Sequence, residues 1–168
     1  GSFSFPAVNS DFEIGTIEAI EHLLELGKSN IAYLKSSGGE TTAQERFIAF
    51  ENSMKIKGLN FNQELIAHGA FSYEKSRDAV TELLKTHTHI NGIICCTDRA
   101  AMGAVYAAKH LGLRVPEDVA VIGTGNLAEI LELSEHPLST IADPLYFIGH
   151  HAISKLIRRI EGRDTEPK

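Results

Sequence analysis

The chain has no tryptophan, and its 168 residues include only two methionines and two cysteines. Its 16 Lys and Arg residues are outnumbered by 22 Asp and Glu residues, which gives a net charge of -6. A surface that binds a phosphate backbone needs clustered Lys and Arg, so this segment is not itself expected to bind nucleic acid. No apolar run approaches the roughly 20 residues that span a bilayer, and no secretion signal is visible. We therefore expect no membrane contact.

The two cysteines do not predict a disulfide. Cys95 and Cys96 are neighbours on a predicted strand, so their side chains point to opposite faces of the sheet. Free core thiols fit a reducing cytoplasm, and we interpret both as packing residues rather than nucleophiles. His87 and His89 lack the three or four converging ligands of a zinc site. With no catalytic triad spacing either, the sequence predicts no metal, no cofactor and no enzymatic activity.

One block of the chain predicts the fold class. An apolar run at Ile90–Cys96 ends in a Thr-Asp pair, a helix follows at Arg99–Leu111, and Gly112 closes that helix. A second apolar run, Val119–Ile122, ends in Gly-Thr-Gly-Asn. This order predicts a parallel sheet with helices on both faces and right-handed crossovers. Polar groups gather where the strands end, which is where open parallel sheets bind ligands.

Hydrophobic periodicity predicts the other elements. The last helix is expected to open on Asp143 as its N-cap, with Pro144 as its first residue. The apolar face of that helix is expected to be Leu145, Ile148, Ala152, Leu156 and Ile160. The remaining predictions are a helix ending at Gly27, a strand at Asn30–Leu34, helices at about Ala43–Lys55 and Tyr73–Lys85, a weak strand at Leu65–Ala67 and an irregular helix within Asn126–His136.

The central helix and its flanks also resemble a known family. Residues 97–123 read TDRAAMGAVYAAKHLGLRVPEDVAVIG and are similar to the hallmark segment of the lactose/galactose-repressor (LacI/GalR) family of transcription regulators. The Val-Pro-x-Asp-Val element after Gly112 is the specific part. The likeness runs from about Val8 to Gly162 and so covers nearly the whole chain. Within the block, the residues in step with the family are Asp98, Ala100, Gly103, Ala104, Gly112, Val115, Pro116, Asp118, Val119, Val121 and Gly123.

The resemblance implies a type I periplasmic-binding-protein architecture, in which two α/β lobes are hinged together. Residues 1–28 would be a remnant of the first lobe, with residues 1–2 resembling a cloning tag. Residues 29–142 would be the second effector-binding lobe, the C-terminal subdomain of the family. Residues 143–168 would be a returning helix and a truncated tail. The family's helix-turn-helix domain, hinge helix and most of the first lobe have no counterpart in this chain.

The function that the resemblance implies is small-molecule sensing. The chain would be the effector-sensing domain of a cytoplasmic LacI-type regulator that controls DNA binding allosterically, with a sugar as the candidate effector. Operator DNA would be bound only through the missing N-terminal domain. A homodimer is implied through Ser72–Arg77, one face of Ala101–Lys109, and Glu129–Glu135. Its apolar centre would be Met102, Tyr106 and Leu131.

Two other functions stay open on the sequence. A solute-binding receptor of a transport system shares the architecture, although it would need an export signal and would rarely keep two free core cysteines. A small α/β enzyme that uses nucleotides is the less favoured alternative. It would use the loop Gly123-Thr124-Gly125, although the third Gly and the ribose-binding acid of a dinucleotide fingerprint are absent.

Five side chains are candidates for effector binding by this resemblance. Arg46 lies in a segment similar to the family's arginine helix, and its planar guanidinium can hold two effector oxygens at once. The alternative for Arg46 is a solvated helix residue. Phe71 stands where the family often has an aromatic that packs on the effector, and it could equally be a core residue. Asp98 would accept hydrogen bonds from sugar hydroxyls, or it would cap the following helix together with Thr97.

Asn126 and Asp143 complete the set. Asn126 ends a segment where the family usually reads Gly-aromatic-Asp followed by Asp or Asn. The first Asp of that pattern is a common effector ligand, and here the position is Gly125. Asn126 is therefore expected to substitute for it only in part, which weakens the prediction of a sugar effector. Asp143 occupies a position that is often polar near the family's hinge, and its competing role is the helix cap already described.

Overall fold

A parallel sheet of five strands, in the order β2-β1-β3-β4-β5, organises the chain. The structure is a computed structural model that describes residues 8–36, 41–69, 72–132 and 137–163. The strands are β1 Ile31–Lys35, β2 Ile66–His68, β3 Gly92–Cys95, β4 Ala120–Gly125 and β5 Ser139–Ala142. The helices are α1 Phe12–Glu25, α2 Thr41–Ile56, α3 Tyr73–Thr86, α4 Asp98–His110, α5 Ala128–Glu132 and α6 Leu145–Ile160, with a 3-10 turn at Gln63–Leu65.

The strand order creates a switch point near the middle of the sheet. Strand β1 pairs in parallel with β2 on one side and with β3 on the other. From β1 the chain goes to β2 at one edge of the sheet. It then returns to β3 on the other side of β1 and continues to β4 and β5. Helix α1 packs with α2, and α3 packs with α4, as right-handed crossovers over the two faces require. The predicted fold class, a parallel sheet with helices on both faces, is confirmed.

The core lies around β1 and β3, whose residues are almost all inaccessible to solvent. Strands buried on both faces read as continuous apolar runs, which is why these segments were recognisable in the sequence. The ring of Tyr33 stacks on Phe50 at a centroid distance of 4.7 Å and lies 5.5 Å from Phe47. Each such aromatic pair adds about 0.5–1.5 kcal/mol beyond its area burial. These contacts fix α2 on β1, and burial raises the pKa of the Tyr33 phenol.

Small residues allow α3 and α4 to approach closely. A methyl group added at Gly103 would lie 2.6 Å from the carbonyl oxygen of Tyr73, a distance at which the two helices would have to separate. Ala100 and Ala104 are fully buried on the same helix. The small-residue pattern of α4 is thus a packing requirement. It also leaves Tyr106 on the outer surface, 48% exposed, with its ring 6.1 Å from that of Tyr73.

The chain divides into two compact units, residues 12–142 and residues 1–11 with 143–168. Helix α6 belongs to the second unit and buries none of its residues. Three residues of its predicted apolar face, Leu145, Leu156 and Ile160, are 56%, 55% and 76% exposed. Helix α6 is amphipathic as predicted, but an apolar helix face is buried only where another surface packs against it. Among the described helices, α6 included, none is long and apolar enough to cross a membrane.

Two local predictions near the end of the sheet also change. Strand β5 was not predicted, because its four residues are only partly buried and show no clear alternation. Helix α6 begins at Leu145 with Pro144 as its N-cap and no side-chain capping bond, so the prediction of Asp143 as N-cap is wrong. Of the irregular helix expected after Asn126, the structure has α5, and residues 133–136 lie outside the described part of the chain.

A charged clasp holds the turn between α4 and β4. Both carboxylate oxygens of Asp118 accept hydrogen bonds from the Arg114 guanidinium, at 2.9 Å from Nε and 2.7 Å from Nη2. The backbone N–H of Arg114 donates to the same carboxylate at 2.7 Å. Nearby, Lys28 Nζ donates to the carbonyl of Glu117 at 2.5 Å, which ties the end of α1 to this turn. The Arg114 hydrogen bonds lower the pKa of Asp118 to about 2.

The clasp predicts a pH dependence of stability. Since the pKa of Asp118 in the folded chain lies below its ordinary value of 3.8, the clasp stabilises the fold above about pH 4, and that contribution is lost as the pH falls toward about 2. We expect Asp118→Asn to lower the free energy of unfolding at neutral pH. The difference from the parent chain should shrink through that acidic range, as measured by urea unfolding at a series of pH values.

The control for this experiment is Asp78→Asn, which removes an exposed carboxylate that pairs with Arg77. It separates the loss of the clasp from the loss of one surface charge. A difference between Asp118→Asn and the parent chain that stayed constant from neutral pH to the acidic end would contradict the assignment.

Candidate functional site

The carboxyl ends of β1 and β3 meet at the switch point of the sheet. Ligands of open α/β sheets bind in the crevice at such a point. The backbone N–H of Cys96 donates to the carbonyl of Leu34 at 3.0 Å, so the two strand ends stay together beyond β3 itself. Burial raises the pKa of the neighbouring Cys95 thiol, which supports a packing role for that side chain. The residues that surround these ends are therefore the first candidates for a binding site.

Arg46 reaches this switch point from α2. Its Nη1 donates to the carbonyl of Cys96 at 2.7 Å, and its guanidinium lies 5.0 Å from the ring centroid of Phe12. The side chain is half-buried. A guanidinium held by a carbonyl on one side and an aromatic ring on another has a defined orientation, because both contacts depend on its plane. Arg46 is thus not a freely solvated helix residue.

The start of α4 separates the two roles that the sequence left open for Thr97 and Asp98. Thr97 is the N-cap, and its Oγ1 accepts from the backbone N–H of Ala100 at 3.1 Å. Asp98 is the first helical residue and is fully buried. The capping function therefore belongs to Thr97, although Asp is at least as common an N-cap residue as Thr. The carboxylate of Asp98 instead contacts segments that lie far from α4 in the sequence.

Both carboxylate oxygens of Asp98 accept hydrogen bonds from the protein. The backbone N–H of Leu127 donates to Oδ2 at 2.9 Å, and the hydroxyl of Thr140 donates to Oδ1 at 2.5 Å. These donors come from the loop after β4 and from β5, so one side chain connects three parts of the sheet edge. A buried carboxylate is tolerated only when its oxygens have such partners. Asp98 is therefore fully buried with both carboxylate oxygens bound within the protein.

Two glycines make room for that carboxylate. A methyl group at Gly123 would lie 2.4 Å from Asp98 Oδ1, and one at Gly125 would lie 3.3 Å from Oδ2. Gly125 also has φ +130, a conformation that side chains rarely adopt. The glycine that replaces the family's usual acid therefore lies directly against Asp98. An acidic side chain at this position would start beside another carboxylate and would also strain the backbone.

Asn126 follows immediately and has φ +55, the left-handed region. Asn is among the few non-glycine residues that adopt this conformation readily. Its backbone N–H donates to Thr140 Oγ1 at 3.2 Å, and its side chain is exposed. The loop therefore presents a carboxamide, with a donor and an acceptor, at the carboxyl end of β4.

The structure thus places three of the five predicted residues around the ends of β3 and β4. Arg46 contacts the end of β3, Asp98 follows it, and Asn126 ends β4. Phe71 lies outside the described residues. Asp143 belongs to the other compact unit and comes just before α6. The sequence analysis did not identify Thr140, because it did not predict the short strand β5 that carries this residue.

The cavity of about 140 Å³ on the 12–142 unit is a different feature. None of the five predicted site residues lines it. Its walls come from α1, α4 and the starts of β4 and β5, and they include Met102, Val105 and Leu138. Within the described residues, no group of three or more His, Cys, Asp or Glu side chains is arranged to hold a metal ion.

The contacts of Asp98 predict a ranking of stabilities. Asp98→Ala leaves a backbone N–H and a hydroxyl without their acceptor, and hydrogen bonds to a charged group are worth about 1.5–3 kcal/mol each. We expect a loss of about 3 kcal/mol or more in the free energy of unfolding. The neighbouring Thr97→Ala removes only the cap and should cost about 1 kcal/mol. Urea unfolding of the two variants measures the ranking, and equal losses would contradict the network.

Known proteins are similar to this chain in sequence and in fold. Residues 20–168 match the family model of the periplasmic binding protein-like domain. The HTH-type transcriptional repressor PurR of Haemophilus influenzae is 33% identical over 146 residues, which cover 87% of this chain and 43% of that protein. The chain therefore spans less than half the length of this curated relative.

Two solved structures show the same fold. A regulatory protein of the LacI family from Chloroflexus aggregans has a TM-score of 0.88 and 27% identity, covering 99% of this chain and 59% of that one. A sugar-binding transcriptional regulator of the LacI family from Escherichia coli, in complex with phosphate, has a TM-score of 0.83 and 28% identity, covering 94% and 56%. The predicted resemblance is confirmed: the chain belongs to the periplasmic binding protein-like domain family and corresponds to the effector-binding domain of LacI-type regulators.

Proposed function

We propose that this chain is the effector-sensing part of a cytoplasmic LacI-type transcription regulator, and that it binds a small molecule at the ends of β1, β3 and β4. The observation that carries this proposal is the position of Arg46, oriented by the Cys96 carbonyl at the switch point of the sheet. The named relatives are described as transcription regulators, which favours this function over a solute receptor. DNA binding would belong to a part of the protein outside these residues.

Within this proposal the site residues have different roles. Arg46 and Asn126 contact the effector directly, because one presents an oriented cation and the other an exposed carboxamide. Asp98 acts indirectly, since its oxygens hold the loop that carries Asn126. For Phe71 and Asp143, a contact with the effector is proposed from the family resemblance alone. The proposed lobe bounds are residues 29–142 for the second lobe, 1–28 for the remnant of the first lobe and 143–168 for the returning tail, and the structure places residues 12–28 in the same compact unit as residues 29–142.

The effector would act by linkage. A small molecule can change DNA affinity only if it binds one state of the regulator better than the other. The chain passes from one compact unit to the other at Ala142, directly after the strand that contacts Asp98. A sugar or a sugar phosphate is the candidate effector, by analogy with the Escherichia coli relative. The packing of Gly123 and Gly125 against Asp98 explains both glycines without a nucleotide, which disfavours the enzyme alternative.

A homodimer through α3 and α4 is part of the proposal. Met102 and Tyr106 lie one helical turn apart on α4, and Tyr106 is 48% exposed. The ring of Tyr106 stacks on His110 at 6.0 Å and contacts Tyr73 edge-on, which makes a rigid aromatic patch. Aromatic residues and Met are enriched at the centres of such interfaces. The side chain of Leu131, the third predicted centre residue, lies outside the described part of the chain.

The effector site is tested by NMR titration of the labelled chain with inorganic phosphate, lactose, cellobiose and glucose 6-phosphate. A micromolar dissociation constant corresponds to about -8 kcal/mol of binding free energy. The site proposed on this chain supplies only part of the contacts needed for that affinity, so we expect millimolar or weaker binding that calorimetry does not detect. Amide shifts should concentrate at Cys96, at Asn126 and around Arg46. Arg46→Lys keeps the charge but not the planar fork, and should reduce these shifts strongly.

The control for the titration is Arg77→Ala, which removes a surface guanidinium that pairs with Asp78 on α3. It should leave the shifts unchanged. Shifts that map to other surfaces, shifts that survive Arg46→Lys, or no shifts with any of the four compounds would each contradict the proposed effector site.

The dimer is tested by sedimentation at micromolar concentration. We expect the parent chain to be dimeric and Tyr106→Asp to be monomeric, because a charge at the centre of an apolar contact is not compensated. The control is Ile48→Asp on α2, a residue exposed to a similar degree at 51%. A monomeric parent chain, or a dimer that survives Tyr106→Asp but not Ile48→Asp, would exclude the α3–α4 surface as the interface.

A further inference from the structure

Thr140 joins two groups that the candidate site depends on. Its hydroxyl donates to Asp98 Oδ1 at 2.5 Å and accepts from the backbone N–H of Asn126 at 3.2 Å. The residue lies in β5, where it pairs with Gly123 of β4. A threonine hydroxyl has one donor and two acceptor positions, so it can fill both places at once. No other described side chain connects Asp98 to the backbone of Asn126.

We propose that Thr140 is a positioning residue for the effector site, and that its hydroxyl sets the conformation in which Asn126 presents its carboxamide. The functional meaning of this inference rests on the proposed effector site. Its structural content does not, since the conformation of Asn126 can be measured without any ligand. Thr140 itself makes no contact with an effector in this proposal.

The backbone conformation of Asn126 shows why a positioning residue is needed. Asn tolerates the left-handed region at φ +55 better than most residues, but that region is still less populated than the helical or extended ones, so the contacts around Asn126 select it. Here the two successive N–H groups are fixed: that of Asn126 by Thr140 and that of Leu127 by Asp98. Removing the Thr140 hydroxyl frees the first of these groups and takes a donor from Asp98, but leaves the second in place.

A hydroxyl is needed at this position, and not merely a residue suited to a strand. Valine has nearly the same shape as threonine and is equally at home in a strand, but it can neither donate nor accept. Serine keeps the hydroxyl and loses only a methyl group. The pair Thr140→Val and Thr140→Ser therefore separates the hydrogen bonds from packing.

The neighbouring Thr124 provides a matched control. It is buried on β4, and its hydroxyl donates to the carbonyl of Cys95 at 2.9 Å. Thr124→Val thus removes one buried side-chain hydrogen bond at the same edge of the sheet without a contact to Asn126. It reports what a purely structural loss does to this region.

The first measurement is amide hydrogen exchange and the HN–Hα coupling of Asn126 in the 168-residue chain. We expect Thr140→Val to speed the exchange of the Asn126 amide by about tenfold, the equivalent of one ordinary hydrogen bond, and to change its coupling constant. Thr140→Ser should restore both values, and Thr124→Val should change neither. Unchanged exchange at Asn126 in Thr140→Val, or an equal effect in Thr124→Val, would overturn the inference.

The second measurement links the inference to effector binding. In the titration described above, Thr140→Val should reduce the ligand-induced shift at Asn126 while the shifts around Arg46 remain, and Thr140→Ser should recover it. If the ligands give no shifts in the parent chain, the proposed effector site fails, and the exchange experiment alone decides the role of Thr140. If Thr140→Val loosens Asn126 but leaves its ligand-induced shift unchanged, the positioning role is overturned even though the effector site stands.

Discussion

The buried carboxylate of Asp98 is the interaction on which this edge of the sheet depends. It begins α4, and its two oxygens bind the loop after β4 and the strand β5. These contacts are long-range in sequence and add to the pairing of β5 with β4. Strand β5 is short and partly exposed, and α5 has only five residues. A charged acceptor is well suited to this task, because its hydrogen bonds are roughly twice as strong as neutral ones.

The same carboxylate restricts the sequence around it. Gly123 and Gly125 lack side chains where a methyl group would lie 2.4 Å and 3.3 Å from the Asp98 oxygens. The backbone N–H groups of Asn126 and Leu127 are bound by Thr140 and by Asp98. A single buried carboxylate thus accounts for two glycines and for a threonine in the neighbouring strand. From the sequence alone, this Gly-Thr-Gly-Asn segment resembled a nucleotide-binding loop. The structure shows that its two glycines make room for the Asp98 carboxylate.

Much of the fold could be predicted from the sequence, because buried parallel strands and small-residue helices have local patterns. The runs that became β3, β4 and α4 were found within a few residues of their bounds. Strand β5 could not be predicted, because a short, partly exposed strand depends on the neighbouring strand with which it pairs. The solvent exposure of α6 could not be predicted either, because it depends on whether another surface packs on the helix. The candidate site likewise combines a residue with a recognisable local sequence pattern and contacts that depend on the rest of the fold. Arg46 is a candidate because of its sequence context, but its orientation by the Cys96 carbonyl depends on the sheet.

Burial decides which of the polar residues at this edge can meet a ligand. Asp98 has the chemistry of a sugar-binding residue, yet it is fully buried with both oxygens engaged. Releasing it would leave two donors unpaired, a cost that an effector would have to offset before gaining any affinity. Arg46 and Asn126 carry no such cost, because their orienting bonds leave part of each side chain toward solvent. Recognition at the ends of β3 and β4 is therefore expected to use a guanidinium and a carboxamide, with the acid serving as their support.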